Sequence, residues 1–143
     1  MILVVDASVA IKWFVRENLH EEAMLLLAGG DSLHAPDLLL PEIANVAWKK
    51  AVRQEIGPEQ AARIVEACLD GGPRVVPSSG LIARALQMAL LLTHSVYDCL
   101  YLACAESVGG MLVTADDEFC GKVRQTALAP IVRYLGEARE TPG

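Results

Sequence analysis

Residues 1–14 read MILVVDASVAIKWF, and the order of residue types in this stretch predicts a strand that leads directly into a helix. Four apolar residues, Ile2 to Val5, run directly into Asp6, which is followed by a small residue and by Ser8. A short apolar run of this kind is typical of a buried strand, and Asp or Ser readily begins the next helix. The same order returns in residues 111–119, MLVTADDEF, so two strands are predicted to run into carboxylates.

Short apolar runs alternate with longer segments of helical periodicity along the rest of the chain. Strands are predicted at residues 2–5, 33–35, 74–77, 111–114 and 131–133. Helices are predicted at residues 7–16, 20–28, 38–54, 58–69, 96–106 and 117–124, with one more running from a cap at Ser78 or Ser79 to Leu92. This alternation predicts an α/β fold with a mainly parallel central sheet. The apolar stripe of the helix before residue 92 is expected in the core and comprises Ile82, Leu86, Ala89 and Leu90.

Length and composition indicate a single domain. The 143 residues are predicted to form one domain at 1–135, followed by a loose tail at 136–143. No apolar run approaches the ~20 residues of a membrane span, and Asp6 interrupts the first apolar run, so neither membrane contact nor a signal peptide is expected. The four cysteines form no C-x-x-C pair and are expected to be reduced, buried thiols of a cytoplasmic protein.

Acidic residues stand at strand ends or helix starts in four places, at Asp6, Glu42, Asp98 and Asp116, with Asp117 beside the last. Taken singly, each is explained by helix capping or by the favourable position of a negative charge at a helix N-terminus. The net charge of −6 argues against a protein that coats nucleic acid through charge alone. It leaves a nuclease open, because bound divalent cations offset acidic charge.

Considered together, the four acids point to a metal site. The C-terminal ends of parallel strands share one edge of the sheet, where ligands bind at the switch point of strand order. Two like charges roughly 4 Å apart repel by ~4 kcal/mol at an effective dielectric near 20, whereas one helix cap contributes only ~1 kcal/mol. A hard divalent cation would hold such a cluster ionised, and ligation by oxygen alone selects Mg²⁺ or Mn²⁺. Water on such an ion is a suitable nucleophile for a phosphodiester.

Other catalytic classes lack their motifs. The chain has no G-x-x-x-x-G-K-[ST] phosphate loop, no G-x-G-x-x-G fingerprint and no G-x-S-x-G elbow. An aspartyl-phosphate enzyme could use Asp6 as its nucleophile. That class is expected to carry a second Asp two residues later, and this position is Ser8.

Four stretches, in this order along the chain, resemble the PIN domain family. They are VVDASVAIKW (4–13), LLLPEIANVAWK (38–49), HSVYDCLYLACAE (94–106) and LVTADDEF (112–119). The nearest resemblance is to the bacterial VapC-type toxins of VapBC toxin–antitoxin pairs, and it extends over residues 2–135. The resemblance implies a three-layer α/β/α fold, Mg²⁺- or Mn²⁺-dependent cleavage of RNA, a homodimer, and inhibition by a cognate VapB-like antitoxin.

The resemblance also implies which acids act in catalysis. The catalytic set of the family falls on Asp6, Glu42, Asp98 and Asp116. Three of these, Asp6, Asp98 and Asp116, are expected to bind the metal. Because Asp117 directly follows Asp116, either could approach the ion; Asp116 is preferred as the inner acid, with Asp117 partly a helix cap.

Supporting roles are implied for three polar residues. Ser8 and Thr114 match hydroxyl positions that help to hold the ligating acids or water in the family. Asn45, one helical turn after Glu42, matches a polar position near the site.

Basic residues occur as two pairs one helical turn apart, Lys12 with Arg16 and Lys49 with Arg53. Such pairs are usually solvated helix faces, and the alternative is that they contact RNA phosphates. Two alternatives to a toxin nuclease also stay open: a PIN-like module that binds RNA or a protein without cutting, and a stand-alone RNA-processing nuclease. The intact acidic set favours cleavage, because a pure scaffold has no physical need for clustered charge.

Overall fold

The computed structural model describes residues 1–137 of the chain. Its strands are β1 (Ile2–Val5), β2 (Ser32–Pro36), β3 (Arg74–Val76), β4 (Met111–Thr114) and β5 (Val132–Tyr134). Its α-helices are α1 (Ala7–Ala10), α2 (His20–Ala28), α3 (Leu39–Val52), α4 (Pro58–Gly71), α5 (Ile82–Leu92), α6 (Val96–Ser107) and α7 (Asp117–Arg124). Short 3₁₀ turns lie at Ile11–Trp13, Ser78–Gly80 and Ala129–Ile131.

The strands form one sheet with the order β3-β2-β1-β4-β5, and each pair of neighbours is parallel. The central strand β1 pairs with β2 on one side and with β4 on the other, where Val5 lies beside Val113. From β1 the chain moves outward through β2 to β3 and then returns across the sheet to β4. The direction of strand addition therefore reverses between β1 and β4, which is where α/β sheets bind ligands. The parallel sheet predicted from the sequence is confirmed.

Alternate side chains of the strands enter two hydrophobic clusters, one on each face of the sheet. In β1, Val4 belongs to the larger cluster, whereas Leu3 and Val5 belong to the smaller one. The larger cluster contains buried residues from α3 to α7, and the smaller one is covered by Ala23 and Leu26 of α2. Because successive strand residues point to opposite faces, helices cover both sides of the sheet. This arrangement confirms the three-layer α/β/α fold.

The first helix is shorter than predicted. The predicted helix at 7–16 is α-helical only over α1, tightens into the 3₁₀ turn Ile11–Trp13, and ends there. Three β-branched residues, Val9, Ile11 and Val15, lower the α-helix propensity of this segment.

Helix α5 begins at Ile82 rather than directly after a cap at Ser78 or Ser79. The backbone N–H and the hydroxyl of Ser78 instead donate to the carboxylate of Asp37. Ser78 follows β3 and Asp37 follows β2, so this contact joins the ends of two neighbouring strands and delays the start of the helix.

The expected core stripe of α5 is wrong for three of its four residues. Ile82, Leu86 and Leu90 are 52%, 50% and 75% exposed, respectively. The adjacent face of the helix, which includes Ala85 and Met88, packs into the core instead. A helix that is apolar on more than one face does not reveal by periodicity alone which face is covered. The structure thus presents an exposed apolar face on α5.

The four cysteines are free and buried, which confirms their expected state. Within the described chain, no single helix is long and apolar enough to cross a membrane; α5 and α6 reach that length and composition only as a pair bent by 116°. Of the predicted loose tail, residues 138–143 lie outside the described part, while Glu137 is described and pairs with Arg124. The domain boundary at residue 135 stays a prediction.

Candidate active site

Asp6 lies at the end of the central strand, and hydroxyl groups hold both of its carboxylate oxygens. Oδ1 accepts a hydrogen bond from Ser8 Oγ at 2.5 Å and another from the backbone N–H of Val9 at 3.2 Å. Oδ2 accepts from Thr114 Oγ1 at 2.5 Å. The bond from Val9 makes Asp6 the N-cap of α1, so capping and site formation are carried out by the same carboxylate.

Thr114 and Ser8 extend this network from β1 to the end of β4. Thr114 is fully buried and accepts a hydrogen bond from the backbone N–H of Asp116 at 3.0 Å, while Ser8 Oγ accepts one from the N–H of Ala115 at 3.0 Å. The two hydroxyls therefore bind Asp6 and the backbone after β4 at once. These contacts are possible because β1 and β4 end side by side, at the point where the direction of strand addition reverses.

Asp116 is the N-cap of α7, because its Oδ1 accepts from the backbone N–H of Phe119 at 3.0 Å. The expectation that Asp117 partly caps this helix is therefore wrong: Asp117 is the first helical residue, and the cap falls one position earlier. Both side chains are exposed. Asp116 is linked to Asp6 through Thr114, whereas no described contact brings Asp117 toward Asp6.

Glu42 and Asp98 complete the group around Asp6 from α3 and α6. Burial raises the pKa of Asp6 to about 6, against hydrogen bonds from Ser8 and Thr114 that lower it, and the charge of Asp98 raises it further. Burial likewise raises the pKa of Glu42 to about 7, with additional contributions from the charges of Asp98 and Asp6. The charge of Asp98 thus acts on both Asp6 and Glu42, as expected for acids that converge on one site.

Tyr101 places a phenol hydroxyl beside these acids. The residue is 1% exposed, and its hydroxyl is buried without a hydrogen-bond partner in the described chain. Burial raises the pKa of Tyr101, and the charges of the three acids, with Glu42 the strongest, raise it further. Glu42 lies close enough to this hydroxyl for a hydrogen-bonding interaction that raises the pKa of Tyr101 and lowers that of Glu42, although the contact falls short of full hydrogen-bond geometry. A buried hydroxyl without a partner costs about 1–3 kcal/mol, so it is suited to a water molecule or ligand between the acids.

The donor set around Asp6 fits a hard divalent cation. No three acidic, histidine or cysteine side chains within residues 1–137 lie close enough together to hold an ion by themselves. Mg²⁺ keeps several of its waters, so direct ligation by many side chains is not required. A cation and its waters would relieve the repulsion that Asp98 exerts on Asp6 and Glu42 and would offer the hydroxyl of Tyr101 a partner. The ligand set expected from the sequence, Asp6, Asp98 and Asp116, stays a prediction.

The other polar and basic residues singled out in the sequence lie in different surroundings. Asn45 is exposed on α3, with no side-chain hydrogen bond among the described contacts. Lys12 is only 12% exposed and pairs with Glu17 at 3.1 Å, so its predicted place on a solvated face is wrong. Glu17 also pairs with Lys50 at 2.9 Å. The remaining basic residues are exposed, namely Arg16, Lys49 and Arg53.

Sequence reasoning missed two residues that contact or face the acids, and both stand in HSVYDCLYLACAE. Tyr101 lies three residues after Asp98, and His94 lies four residues before it. His94 Nε2 is 2.5 Å from Asp98 Oδ2. Residues three or four apart lie on one side of a helix, so helical spacing around Asp98 was the signal that could have found Tyr101. For His94, which precedes α6, the spacing was a weaker signal.

Comparison with known proteins gives matches over most of the chain. The family model described as the PIN domain matches residues 3–123. Ribonuclease VapC3 of Pyrobaculum aerophilum is 33% identical over 124 residues, which cover 85% of this chain and 95% of that protein. Ribonuclease VapC9 of Mycobacterium tuberculosis (strain ATCC 25618 / H37Rv) is 32% identical over 114 residues, 80% of this chain and 85% of that protein.

The fold of this chain also matches the folds of solved structures. A chain in a toxin–antitoxin complex from Klebsiella pneumoniae superposes with a TM-score of 0.67 at 18% identity, covering 95% of this chain and 99% of that one. The parallel sheet, the acids at its reversal point and the match over residues 3–123 all agree. This chain therefore belongs to the PIN domain family.

Proposed function

We propose that this chain is a divalent-metal-dependent endoribonuclease that acts as the toxin of a toxin–antitoxin pair. The observation that carries the proposal is the convergence of Asp6, Glu42 and Asp98 at the end of the central strand, where the charge of Asp98 adds to burial in raising the pKa of both Asp6 and Glu42. The names of its relatives, ribonucleases VapC3 and VapC9, support ribonuclease activity. RNA as substrate and the free thiols are consistent with action in the cytoplasm.

The ion site is assigned to Asp6, Asp98 and Asp116, with Mg²⁺ or Mn²⁺ as the ion. When bound, the cation supplies Lewis acidity that activates water and stabilises negative charge on a phosphodiester. Ser8 and Thr114 orient Asp6, since each donates to a different oxygen of its carboxylate. These two donors fix the plane of the carboxylate before RNA or an ion arrives, which is the preorganisation that catalytic sites require.

Glu42 is assigned to proton transfer. Its pKa of about 7 is the nearest to neutrality among the acids whose pKa is raised, so its carboxyl group can hold or release a proton at physiological pH. Tyr101 lies beside Glu42 with a hydroxyl available to donate to water or to a phosphate oxygen. Both side chains belong to helices that begin near the reversal point of the sheet, α3 and α6.

We assign the binding of RNA phosphates to exposed basic side chains on and near α3. Lys49 and Arg53 lie toward the C-terminal end of the helix whose first turn carries Glu42, and both are exposed. Arg16 is exposed beyond the first 3₁₀ turn. Lys12 is a weaker candidate, because contact with RNA would require it to leave Glu17.

We assign the binding site of the antitoxin to the helical surface formed by residues 7–16 and by α3. This surface carries Trp48 and Val52, which are 57% and 63% exposed. Beside it, a cavity of about 370 Å³ is lined by Trp13 and Phe14 together with apolar residues of α2, β2 and α4. An apolar helix of the partner would fill these positions, and an Arg or Lys following it would pair with the acids and exclude the cation. The toxin–antitoxin complex among the structural neighbours supports a partner of this kind.

The antitoxin assignment is tested by co-expressing this chain with the product of its neighbouring gene. The pair should co-purify, and release of the partner should restore Mn²⁺-dependent cleavage. Trp48→Ala should weaken the complex, while Leu25→Ala, which removes an exposed leucine from α2, serves as the control. A neighbour that binds but leaves cleavage unchanged would contradict occlusion of the acids.

We assign the interface of a homodimer to the exposed apolar face of α5. Ile82, Leu86 and Leu90 are each at least half exposed, and Leu91 is 63% exposed. A second copy of this chain would cover this face, since apolar surface of this kind favours association. Leu86→Glu should convert the dimer to a monomer in light scattering, whereas Leu25→Glu should not. A wild-type chain that is monomeric at all concentrations would contradict the assignment.

Ribonuclease activity is tested with purified protein and a mixture of structured RNAs. Cleavage is expected with Mg²⁺ or Mn²⁺ and should stop when EDTA is added. A protein freed of its partner that binds RNA without cutting it would favour the non-cleaving alternative. Cleavage restricted to the maturation of one precursor, without growth arrest on expression, would favour a stand-alone processing nuclease.

A further inference from the structure

We infer that His94 and Lys122 are positioning residues that hold Asp98 in the orientation needed for an ion, so that Lys122 acts on Asp98 through His94. The inference rests on the proposed metal site and extends it to two residues outside the acidic set. It starts from a chain of three side chains contributed by different parts of the fold. His94 lies between α5 and α6, Asp98 is in the first turn of α6, and Lys122 is on α7.

The distances define a relay of hydrogen bonds. Lys122 Nζ lies 3.2 Å from His94 Nδ1, and His94 Nε2 lies 2.5 Å from Asp98 Oδ2. A lysine ammonium group can only donate, so Nδ1 must accept, and the ring proton of the neutral imidazole is then on Nε2. That proton is directed at Asp98. Lys122 therefore selects the tautomer in which His94 donates to the carboxylate.

Packing fixes the imidazole ring in this position. The ring of His94 lies against that of Phe119, with centroids 4.6 Å apart and planes inclined by 32°. The same ammonium group of Lys122 also donates to the backbone carbonyl of Thr93 at 3.4 Å, which ties α7 to the segment before α6. His94 thus connects the helix that presents Asp98 with the helix that begins beside Asp116.

The consequence for Asp98 is that one carboxylate oxygen is held while the other is available. Oδ2 accepts from His94, and within residues 1–137 no hydrogen bond to Oδ1 is found. A carboxylate on the exposed surface of a helix would otherwise rotate among several orientations and lose entropy on binding an ion. Partners of this kind behind metal ligands typically change metal affinity 10–100-fold when they are removed.

The test is a direct measurement of Mn²⁺ affinity, by electron paramagnetic resonance of free Mn²⁺, in folded protein without RNA. His94→Ala should raise the Mn²⁺ dissociation constant on the order of tenfold. His94→Gln should restore most of the affinity, because its amide N–H can replace Nε2–H. Lys122→Met, which keeps most of the side chain but removes the ammonium group, should weaken Mn²⁺ binding by a smaller factor. Thermal unfolding in EDTA establishes that each variant is folded.

Matched controls separate this inference from general effects on structure and charge. His20→Ala removes a histidine that contacts the Lys12 carbonyl, and Arg63→Met removes an exposed positive charge from α4. Both should bind Mn²⁺ like the wild type. Equal or tighter binding by His94→Ala would overturn the inference, as would equal weakening by His94→Ala and His94→Gln.

Asp98→Asn distinguishes failure of the inference from failure of the proposed site. If Asp98→Asn loses Mn²⁺ affinity while His94→Ala and Lys122→Met retain it, the relay is wrong and the metal site stands. If Asp98→Asn binds Mn²⁺ as tightly as the wild type, the metal site itself is wrong and the relay has no ligand to position.

Discussion

Thr114 Oγ1 donates to Asp6 Oδ2 at 2.5 Å, joining residues that are 108 positions apart in the sequence. The bond links the end of β4 to the end of β1, the two strands between which the sheet reverses its order. The same hydroxyl accepts from the backbone N–H of Asp116, so the geometry of two acids depends on one side chain. A buried hydroxyl in this position serves both the fold and the site.

Replacing this hydroxyl by a methyl group should affect stability and the titration of Asp6 together. Thr114→Val keeps the shape of the side chain but leaves Asp6 Oδ2 and the Asp116 N–H without their partner. The free energy of unfolding should fall by about 1–3 kcal/mol, as urea denaturation would measure. The pKa of Asp6 should rise above its present value of about 6, because the hydrogen bond that lowers it is lost.

Thr126→Val is the control for this substitution. Thr126 Oγ1 likewise donates one hydrogen bond and accepts another, but its acceptor is the backbone carbonyl of Val123 and its donor the N–H of Leu128, just after the end of α7. Its loss should cost stability without changing the pKa of Asp6. An unchanged Asp6 titration in Thr114→Val, followed by NMR of the carboxyl carbon, would contradict the role assigned to Thr114.

The apo protein should become less stable as the pH rises from 5 to 8. The pKa values of Asp6 and Glu42 are raised to about 6 and about 7 from ordinary values of 3.8 and 4.5. The folded chain therefore keeps protons that the unfolded chain releases, and this contribution is complete below pH ~4 and lost as the pH passes through 6 to 7. The expected loss between pH 5 and 8 is on the order of 2–4 kcal/mol in the free energy of unfolding, with the contribution of the partly exposed Glu42 reduced by solvent screening.

Two measurements check the cause of this pH dependence. Glu42→Gln should flatten the profile, since one of the two groups no longer titrates. The lowered pKa of Glu17 acts in the opposite sense, with stability lost as the pH falls below 4.5, so it does not interfere above pH 5. Its pKa is low because hydrogen bonds from Lys50 and Lys12 outweigh burial, which alone would raise it. A flat wild-type profile would show that burial and the neighbouring charges do not raise the pKa values of Asp6 and Glu42.

Asp98→Asn should abolish cleavage while preserving the fold. The substitution keeps the shape of the side chain and an oxygen for His94 but removes a charge that acts on Asp6 and Glu42. Cleavage with Mn²⁺ should fall at least roughly 100-fold, because a metal ligand is lost. In EDTA the melting temperature should be equal or higher, and Mn²⁺ should raise it less than in the wild type.

Asp70→Asn is the matched control, since Asp70 is an exposed acid near the end of α4. It should cleave RNA and respond to Mn²⁺ like the wild type. Purified Asp98→Asn protein that cleaves at the wild-type rate would remove Asp98 from the catalytic set.

Tyr101→Phe should separate stability from activity. The substitution deletes only the buried hydroxyl, which makes no hydrogen bond of full geometry within the described residues, so the apo protein should keep its stability or gain up to ~1 kcal/mol. Cleavage should fall on the order of tenfold if the hydroxyl donates to water or phosphate among the acids. Tyr97→Phe, a change at a 66% exposed position of the same helix, should alter neither. A less stable apo Tyr101→Phe with normal cleavage would assign the hydroxyl a structural role instead.

The fold and the position of Asp6 could be predicted because they depend on local patterns. Ile2 to Val5 is too short and too apolar for anything but a buried strand, and the acid that follows must lie at the edge of the sheet. Thr114 as a partner of Asp6 followed from the resemblance and not from spacing. The helix cap at Asp116 rather than Asp117 depends on the backbone dihedral angles after β4, which the residue types leave open, since either Asp is a good cap.

Other features depend on packing that no local pattern encodes. The contact between His94 and Lys122 requires α7 to lie against the start of α6, and the two residues are 28 positions apart. Likewise, Leu86 and Leu90 are exposed because a different apolar face of α5 packs against the core. Lys12 was expected in solvent, but its side chain pairs with Glu17, a partner five residues away on an irregular segment.

The central claim, that these acids form one divalent cation site, is tested most directly by a crystal structure with Mn²⁺ and an anomalous difference map. We expect one strong peak at the end of β1, with oxygens of Asp6, Asp98 and Asp116 bound to the ion directly or through its waters. Tyr101 should be hydrogen-bonded to one of those waters or to Glu42. At saturating Mn²⁺, a map with no peak between these residues, or with the ion bound only elsewhere on the surface, would contradict this claim.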